Sequence, residues 1–282
     1  MKVLISGASG FLGSQLCLYL TKQNFFITPL VRTSSRLVRL CDIPEKNLVF
    51  CDNQAELNNH FKSSPPDIVI NCAALYGRNG ESIVEIVKAN IEFSCLLLEL
   101  SKQYNVKTFI NVGTSLPSEI SLYALTKNTF VDIAKNQVSE KFQFINIKLE
   151  HFYGVGDDNY KFIQHVIDKC SNNEELLLTT GDQVRDFIHI DDLLRAVHCL
   201  ILSVDKISNF EQISIGSGEG VSIREIVELI HSLTKSSSVL KFGALEYRKN
   251  EVMYSCADTT RLNQLSWSPL VTIKDGLKDT IS

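Results

Sequence analysis

The sequence lacks the features that mark several large classes of protein. No two of its eight cysteines form a C-x-x-C pair, so the common cysteine metal and redox motifs are absent and no metal is expected. No apolar run reaches the ~18 residues that a membrane-spanning helix needs. Positive charge is not in excess, since 28 Lys and Arg stand against 32 Asp and Glu. A nucleic-acid binder, which would carry a basic surface, is therefore not expected.

The composition is that of an ordinary globular chain. Its 282 residues, 44% hydrophobic and 21% charged, suffice for one large domain or two smaller ones. The chain runs straight into an apolar segment and a glycine turn, which leaves no room for a signal peptide. Several cysteines lie in apolar stretches and are interpreted as core residues. We therefore predict a reduced, cytoplasmic protein.

Apolar runs typical of strands alternate with helical stretches along the first half of the chain. We predict strands at residues 3–5, 25–31, 48–50, 67–71, 107–112 and 142–149, and helices at 12–22, 82–103 and 123–136. Pro29 lies within the second strand and predicts an irregularity there. The alternation predicts an α/β fold of the Rossmann type, with a doubly wound parallel sheet covered on both faces.

Beyond about residue 150 this alternation stops. A loop-like stretch at 153–159 is followed by predicted helices near 162–170, 191–202 and 222–233. We therefore predict a sheet domain at 1–153 and a smaller substrate-binding domain at 154–282, partly interleaved with the first. Ligands of such sheets bind at the carboxyl ends of the strands, where the glycines, Asn71, Thr114 and Tyr153 fall.

Three glycines, Gly7, Gly10 and Gly13, connect the first strand to the first helix. Glycine lets the backbone approach a pyrophosphate, and a helix N-terminus offers N–H groups to it. The spacing in this strand–turn–helix context predicts a dinucleotide-binding turn, with further contacts from Ser9, Phe11 and Leu12. The alternative is a plain strand–helix turn with incidental glycines.

The charge after the second strand bears on the choice of dinucleotide. An NAD site usually has an acid there for the ribose 2′-hydroxyl, whereas this chain has Arg32, followed by Arg36. Because a guanidinium suits a 2′-phosphate, we predict NADP(H). Solvated loop arginines are the alternative. Asp52, after the third strand, and its neighbour Asn53 are predicted to lie near the adenine, or else to be surface residues.

Tyr123 and Lys127 stand one helical turn apart, so their side chains leave the same face of a helix. An ammonium near a phenol favours the phenolate, so we expect Lys127 to lower the pKa of Tyr123 and to make it a general acid or base. Thr114 and Ser115 follow the fifth strand. Thr114 is the first choice to hydrogen-bond the substrate oxygen, although both hydroxyls could instead cap a loop.

Five motifs occur together in the chain: the glycine turn, Asn71-Cys72-Ala73-Ala74, Thr114, the pair Tyr123 and Lys127, and Tyr153-Gly154. Over nearly the whole chain they resemble the extended short-chain dehydrogenase/reductase family, which acts on nucleotide sugars. The resemblance implies that Thr114, Tyr123 and Lys127 are catalytic, and that a homodimer forms through the helices at 82–103 and 123–136. It further implies cofactor contacts from Cys72, Ala73, Ala74, Asn90, Tyr123 and Lys127.

Two segments of the second half also resemble this family. They are Arg185-Asp186-Phe187-Ile188-His189 and Arg248-Lys249-Asn250-Glu251. By this resemblance Arg185 and Arg248 hold a diphosphate, Phe187 lies by the nucleotide and Glu251 binds a ribose. The alternatives are a local Arg185–Asp186 ion pair and a surface charge at Arg248. Candidates for the substrate pocket, each of which could equally be structural, are Tyr76, Arg78, Thr114, Ser115, Glu150, His151, Tyr153, Lys161 and Phe162.

The residue after the two hydroxyls limits the reaction. The family's dehydratases carry an acid pair directly after the catalytic threonine, where this chain has Ser115-Leu116, and its GDP-fucose epimerase-reductases carry a cysteine in the place of Leu116. The segments at 113–117, 148–154, 216–219 and 253–258 resemble bacterial 4-ketoreductases of O-antigen biosynthesis, which form CDP-paratose or, less closely, CDP-abequose. This implies NADPH-dependent reduction of a CDP-linked 4-keto-3,6-dideoxyhexose. The alternatives are a reductase of dTDP- or GDP-linked keto sugars, a nucleotide-sugar 4-epimerase and a non-catalytic NADP sensor.

Overall fold

The computed structural model describes all residues, Met1–Ser282, and the chain divides into two compact units. The first unit comprises Met1–Lys148 and Leu200–Ile213, and the second comprises Leu149–Cys199 and Ser214–Ser282. The chain thus leaves the first unit, returns to it for one segment and ends in the second.

Twelve strands and ten α-helices make up the two units. The strands are β1 (Lys2–Ser6), β2 (Phe26–Val31), β3 (Val49–Phe50), β4 (Ile68–Asn71), β5 (Thr108–Val112), β6 (Gln143–Leu149), β7 (His151–Tyr153), β8 (Leu176–Leu178), β9 (Val184–His189), β10 (Phe210–Ile215), β11 (Gly220–Ser222) and β12 (Leu240–Phe242). The helices are α1 (Phe11–Lys22), α2 (Gln54–Ser63), α3 (Ile83–Val87), α4 (Phe93–Gln103), α5 (Leu122–Lys135), α6 (Phe162–Ser171), α7 (Ile190–Leu202), α8 (Ile223–Leu233), α9 (Thr260–Gln264) and α10 (Ile273–Ile281). A π-helical turn, Lys88–Glu92, joins α3 to α4.

A seven-stranded sheet in the order β10–β6–β5–β4–β1–β2–β3 forms the first unit. Every pair from β6 to β3 is parallel, and β4 and β5 are buried at every residue. The predicted Rossmann-type α/β fold is therefore confirmed. Ile5 pairs with Pro29 in register, so the irregularity predicted at Pro29 is wrong. On its other side, β2 pairs with β3 from Leu30 onwards, the residue directly after Pro29.

Aromatic rings pack against one another in the core of the first unit. The ring centroids of Phe109 and Phe144 are 5.5 Å apart, and those of Phe130 and Phe144 are 5.9 Å apart. All three side chains are fully buried, and each contributes roughly 2–3 kcal/mol through the area removed from water. They come from β5, α5 and β6, so this core fixes the elements that carry the predicted catalytic residues.

The second unit has two small sheets. In one, β9 lies antiparallel to β11 and parallel to β7, and in the other β8 and β12 are parallel. An apolar cluster that includes Val166 of α6 and Ile226 and Ile230 of α8 forms its core. No helix of the protein is long and apolar enough to cross a membrane. No group of three or more His, Cys, Asp or Glu side chains could hold a metal ion.

Candidate active site

The glycine turn between β1 and α1 packs so closely that two of its positions exclude a side chain. Gly7 has a φ of +65°, and a Cβ there would lie 2.8 Å from the Ala73 nitrogen. A Cβ on Gly13 would lie 2.2 Å from the Gly7 carbonyl oxygen. Gly10 is the N-cap of α1, and no side chain caps this helix. A cradle without Cβ atoms at a helix N-terminus fits the pyrophosphate of a dinucleotide.

Two arginines follow β2. Arg32 and Arg36 are both exposed, so their guanidinium groups are accessible to an anion. Asp52 fixes the loop that follows β2, because its Oδ2 accepts a hydrogen bond from the Thr33 N–H at 2.6 Å. Asn53 caps α2, since its Oδ1 accepts from N–H groups in the first helical turn. Asp52 and Asn53 thus have local roles that shape the predicted adenosine end of the site.

A row of buried polar side chains crosses the sheet at the carboxyl ends of the strands. Ser6 Oγ donates to Asn71 Oδ1 (2.6 Å), and Asn71 Nδ2 donates to Asn111 Oδ1 (3.1 Å). Asn111 Nδ2 donates to Asn146 Oδ1 (2.8 Å), whose Nδ2 donates to Gln212 Oε1 (3.1 Å). Ser6 and the three asparagines are paired in register. We call this row the amide ladder; it fixes the strand ends from which the functional loops leave.

The structure places Thr114 close enough to Tyr123 for its hydroxyl to lower the pKa of the phenol. Thr114 follows β5 and is 6% exposed, and its Oγ1 also accepts from the Leu116 N–H at 3.2 Å. It therefore caps its loop and contacts Tyr123 at the same time. Tyr123 lies in the first turn of α5, which Ser121 caps by accepting from a backbone N–H. The neighbouring Ser115 is only partly buried.

The surroundings of Tyr123 raise its pKa well above the usual value. Burial is the largest cause and the adjacent Tyr76 adds to it, while the hydrogen bond from Thr114 and the charge of Arg78 act in the opposite direction. The expectation that Lys127 lowers the pKa of Tyr123 is therefore wrong, because desolvation of the phenol outweighs nearby charge. A phenol that stays protonated near neutral pH is a proton donor, that is, a general acid.

Lys127 is buried one helical turn after Tyr123, with 1% of its surface exposed. Burial lowers the pKa of its ammonium group from 10.5 to about 8, against the opposing effect of Cys72. Its Nζ donates to the Ala73 carbonyl oxygen at 3.4 Å. Ala73 is also the residue that packs against Gly7 in the glycine turn. Lys127 thus connects α5 to the predicted cofactor site.

Asn90 is fully buried in the π-helical turn. Its Oδ1 accepts from the Leu75 N–H (2.7 Å), and its Nδ2 donates to the Leu75 carbonyl (3.0 Å) and to Thr126 Oγ1 (2.9 Å). Turns of this kind bulge a helix locally and are frequent at functional sites. The Asn90 side chain therefore fixes the loop after β4 against α5, so the predicted cofactor residue also positions that loop.

In the second unit, Arg185 is paired with Glu251. Its Nη2 donates to Glu251 Oε1 at 2.6 Å and its Nη1 to the Val184 carbonyl at 2.8 Å. Arg185 is 7% exposed, so the pair is largely desolvated. Asp186 is not its partner, because the Asp186 carboxylate accepts from the backbone N–H groups of Ser217, Gly218 and Ala257. The alternative of a local Arg185–Asp186 ion pair is therefore excluded.

Further acidic and basic groups lie in the same unit. Glu150 is buried, and both of its carboxylate oxygens accept from Ser255 Oγ, at 2.8 and 2.9 Å. His151 Nδ1 lies 3.9 Å from Glu150 Oε2 and has no hydrogen-bond partner. Arg248 is exposed, and its carbonyl accepts from the Glu251 N–H at 3.0 Å. Glu251 therefore links the segment of Arg248 to Arg185.

Other predicted substrate residues are packed into the protein. Phe187 is 5% exposed and stacks with Phe162 at 6.5 Å between ring centroids. Tyr153, which we had placed at a strand end near the ligand, is 1% exposed in the same core. Lys161 forms an ion pair with Asp157 at 2.9 Å. Phe187 and Tyr153 thus have core roles in this structure.

Sequence reasoning missed three residues that build the site. Asn111 and Asn146, which continue the amide ladder, each lie between two buried apolar residues of their strand. A polar residue within a fully buried run is the signal that would have identified them, because buried amides need partners. Asp186 was interpreted only as a neighbour of Arg185, and nothing in the sequence indicates its backbone partners.

Comparison with known proteins identifies the family of the chain. A family model described as the NAD dependent epimerase/dehydratase family matches residues 3–216, most of the chain. The chain belongs to this family. The resemblance to extended short-chain dehydrogenase/reductases inferred from the motifs is thereby confirmed, and with it an enzyme family that uses a nicotinamide cofactor.

Members of the epimerase/dehydratase family match the chain from end to end. A CDP-abequose synthase of Salmonella typhimurium strain LT2 is 30% identical over 293 residues, covering 99% of this chain and 97% of that protein. A CDP-abequose synthase of Salmonella muenchen is 32% identical over 295 residues, covering 100% and 97%. The fold matches a UDP-glucose 4-epimerase of Thermotoga maritima, solved with UDP-glucose, at a TM-score of 0.86 and 24% identity, covering 100% of this chain and 97% of that one.

Proposed function

We propose that the protein is an NADPH-dependent 4-ketoreductase of a CDP-linked 4-keto-3,6-dideoxyhexose. The observation that carries this proposal is the buried phenol of Tyr123, one helical turn before the buried Lys127, with surroundings that raise its pKa well above the usual value. A reductase needs a proton donor at the oxygen that it reduces, and this phenol supplies one. The similarity to two CDP-abequose synthases along the whole chain supports a CDP-linked sugar as the substrate.

Two features of the first unit support NADP(H) as its cofactor. The Cβ-free turn at Gly7 and Gly13 fits a pyrophosphate, and the exposed Arg32 and Arg36 suit a 2′-phosphate. The cofactor, when bound, supplies the hydride that reduces the ketone. We propose that Lys127, whose buried Nζ donates to the Ala73 carbonyl, also contacts the ribose of the cofactor.

The proton transfer follows from the hydroxyl groups on the chain. Thr114 orients the C4 oxygen of the sugar by hydrogen bonding. Tyr123 donates its proton to that oxygen as the C–H bond forms at C4, which leaves an alcohol on the sugar and a phenolate on Tyr123. The charge of Arg78 stabilises this phenolate, since it lowers the pKa of Tyr123, and the Thr114 hydroxyl can turn its proton to the phenolate once the C4 oxygen is protonated. Solvent then returns the proton to Tyr123.

We assign recognition of the nucleotide to the second unit. Arg185 is held in place by Glu251, and its guanidinium can hydrogen-bond a diphosphate in a defined orientation. Arg248 supplies a second, exposed positive charge, and Glu251 is assigned to the ribose. The buried carboxylate of Glu150, held by Ser255, and the unpartnered Nδ1 of His151 are assigned to polar groups of the substrate.

The configuration of the product at C4 has two candidates. The sequence segments named above resemble the enzymes that form CDP-paratose, whereas the two similar Salmonella proteins are CDP-abequose synthases. The two products differ only at C4, so the orientation of the sugar relative to the hydride decides between them. NMR of the purified product separates paratose from abequose directly.

The test of this function is the oxidation of NADPH with CDP-4-keto-3,6-dideoxyglucose, followed by absorbance. The dTDP- and GDP-linked keto sugars are the comparison substrates, and Tyr123→Phe is the variant expected to lose most of the turnover. Oxidation only with a dTDP or GDP sugar would overturn the CDP assignment. If NAD stays bound through purification and the protein interconverts C4 epimers of a nucleotide sugar, the 4-epimerase is favoured. If Tyr123→Phe behaves like the wild-type protein in these assays, a sensor is favoured.

We also propose that the protein is a homodimer. Exposed apolar side chains cluster on two helices of the first unit, with Ile83 and Val84 on α3 and Leu125 on α5. Such a patch is typical of an interaction surface. Sedimentation analysis should therefore give twice the monomer mass, and Val84→Glu should shift the protein towards monomer. A monomeric wild-type protein at micromolar concentration would refute the proposal.

A further inference from the structure

The catalytic tyrosine is stacked against a second tyrosine. The rings of Tyr76 and Tyr123 lie 4.6 Å apart between centroids with an interplanar angle of 28°. The guanidinium carbon of Arg78 lies 5.5 Å from the centroid of the Tyr76 ring, a distance at which cation–π attraction operates. Both Tyr123 and Arg78 thus contact the Tyr76 ring.

The loop that carries Tyr76 is fastened on both sides of this residue. Asn90 holds the N–H and the carbonyl of Leu75, and through Thr126 the same amide is bonded to α5, the helix of Tyr123. On the other side Gly77, at a φ of +72°, packs so closely that a Cβ would lie 2.7 Å from Ile86 Cδ1. These contacts give the Tyr76 ring a defined position against the ring of Tyr123.

We propose that Tyr76 is a positioning residue for the catalytic phenol of Tyr123, and that Arg78 acts on Tyr123 from its place over the Tyr76 ring. The proposal rests on the function proposed above, in which Tyr123 gives its proton to the C4 oxygen. A ring stacked on Tyr123 limits the rotation of the phenol and so keeps its hydroxyl aimed towards Thr114.

The two neighbours have opposite electrostatic effects on Tyr123. The hydrogen bond with the Tyr76 hydroxyl raises the pKa of Tyr123, because it favours the protonated phenol. The positive charge of Arg78 lowers that pKa, because it favours the phenolate. Together they adjust how readily Tyr123 releases its proton, with Tyr76 keeping the donor protonated and Arg78 stabilising the anion that is left.

A titration that needs no substrate tests this role. Tyr123 is replaced by a difluorotyrosine, whose lower intrinsic pKa brings the titration into a range where the protein stays folded, and fluorine NMR follows it. Tyr76→Phe keeps the ring and removes the hydroxyl, so it should lower the pKa at position 123 by about half a unit to one unit, the size of one hydrogen bond. Arg78→Gln should raise that pKa.

Kinetics of the enzyme with natural tyrosine supply the second measurement. Tyr76→Phe keeps the stacked ring and leaves the Tyr123 phenol protonated near neutral pH, so kcat and KM should stay within about 2-fold of wild type. Tyr76→Ala removes the stacked ring and should lower kcat with little change in KM. Tyr104→Phe is the matched control, because it removes a hydroxyl that bonds only Asn58 and the neighbouring Gln103. It should leave both the titration and kcat unchanged.

The outcomes separate the inference from the proposed function. Shifts of the same sign for Tyr76→Phe and Arg78→Gln, or no shift in either, would overturn the positioning role. Higher turnover in Tyr76→Ala would also overturn it, since Tyr76 would then block the site. Opposite shifts in a protein that reduces none of the keto sugars would uphold the effect on Tyr123 and refute the reductase.

Discussion

Replacing Lys127 with methionine should stabilise the nucleotide-free protein at neutral pH while removing most of its activity. Burial lowers the pKa of Lys127 from 10.5 to about 8. At about 1.4 kcal/mol for each pKa unit, the buried ammonium costs about 3 kcal/mol of folding free energy at pH 7. The 3.4 Å hydrogen bond from its Nζ to the Ala73 carbonyl offsets about 1 kcal/mol of this cost. Methionine has a similar shape and no charge, so Lys127→Met should gain about 2 kcal/mol.

The pH dependence of this gain follows from the direction of the shift. The pKa of Lys127 is lower in the folded protein than in the unfolded chain, so between about 8 and 10.5 the unfolded chain binds the proton that the folded protein has lost. Wild-type stability therefore rises with pH across this window, and the full cost is present only below it. Relative to wild type, the advantage of Lys127→Met should shrink by about 2 kcal/mol between pH 7 and pH 10.

Urea unfolding followed by circular dichroism, at pH 7 and pH 10, measures both effects. Lys62→Met is the matched control, because Lys62 is an exposed lysine of the same unit and its replacement should show no such dependence on pH. A Lys127→Met protein that is less stable than wild type at pH 7 would refute the reasoning. So would a difference in stability that stays constant with pH.

Three further predictions concern the amide ladder, the glycine turn and the diphosphate site. Asn111→Ala leaves buried amides unpaired and should lower the free energy of unfolding, measured with urea, by about 2–4 kcal/mol. The double variant Asn111→Val, Asn146→Val should lose less than the sum of the two single valine variants, and strict additivity would contradict this. Gly13→Ala should abolish NADPH binding in a fluorescence titration, and Gly10→Ala, whose Cβ would meet the turn at 3.3 Å, should weaken it far less. Arg185→Gln should raise KM for the CDP sugar about 10-fold or more while kcat changes little, and an unchanged KM would exclude Arg185 from substrate binding.

Local patterns in the sequence were sufficient to predict the sheet and its first turn. Apolar runs separated by helical periods predicted each strand from β1 to β6, because the strands of a parallel sheet covered on both faces are mostly apolar. Gly7, Gly10 and Gly13 marked the turn, since their spacing reflects a backbone contact that excludes Cβ atoms. The spacing of Tyr123 and Lys127 placed both on one helix.

Properties that depend on burial and on distant partners could not be predicted. The direction of the Tyr123 pKa shift was wrong, because the sequence shows a nearby lysine but not the desolvation that outweighs it. The alternative of an Arg185–Asp186 ion pair rested on sequence order, while in the fold the partner of Arg185 is Glu251, 66 positions away. The stacking of Tyr76 on Tyr123 depends on how the loop after β4 is held by Asn90, which no local pattern shows.

The most direct test of the central claim is to follow the hydride itself. The enzyme is incubated with CDP-4-keto-3,6-dideoxyglucose and NADPH in which both hydrogens of the hydride-donating carbon are deuterium, and the product is examined by NMR. A 4-ketoreductase should place one deuterium at C4 of the sugar and give a single C4 configuration. Turnover of the sugar without deuterium at C4 would contradict the claim, because an epimerase returns the hydride that it removed from its own substrate.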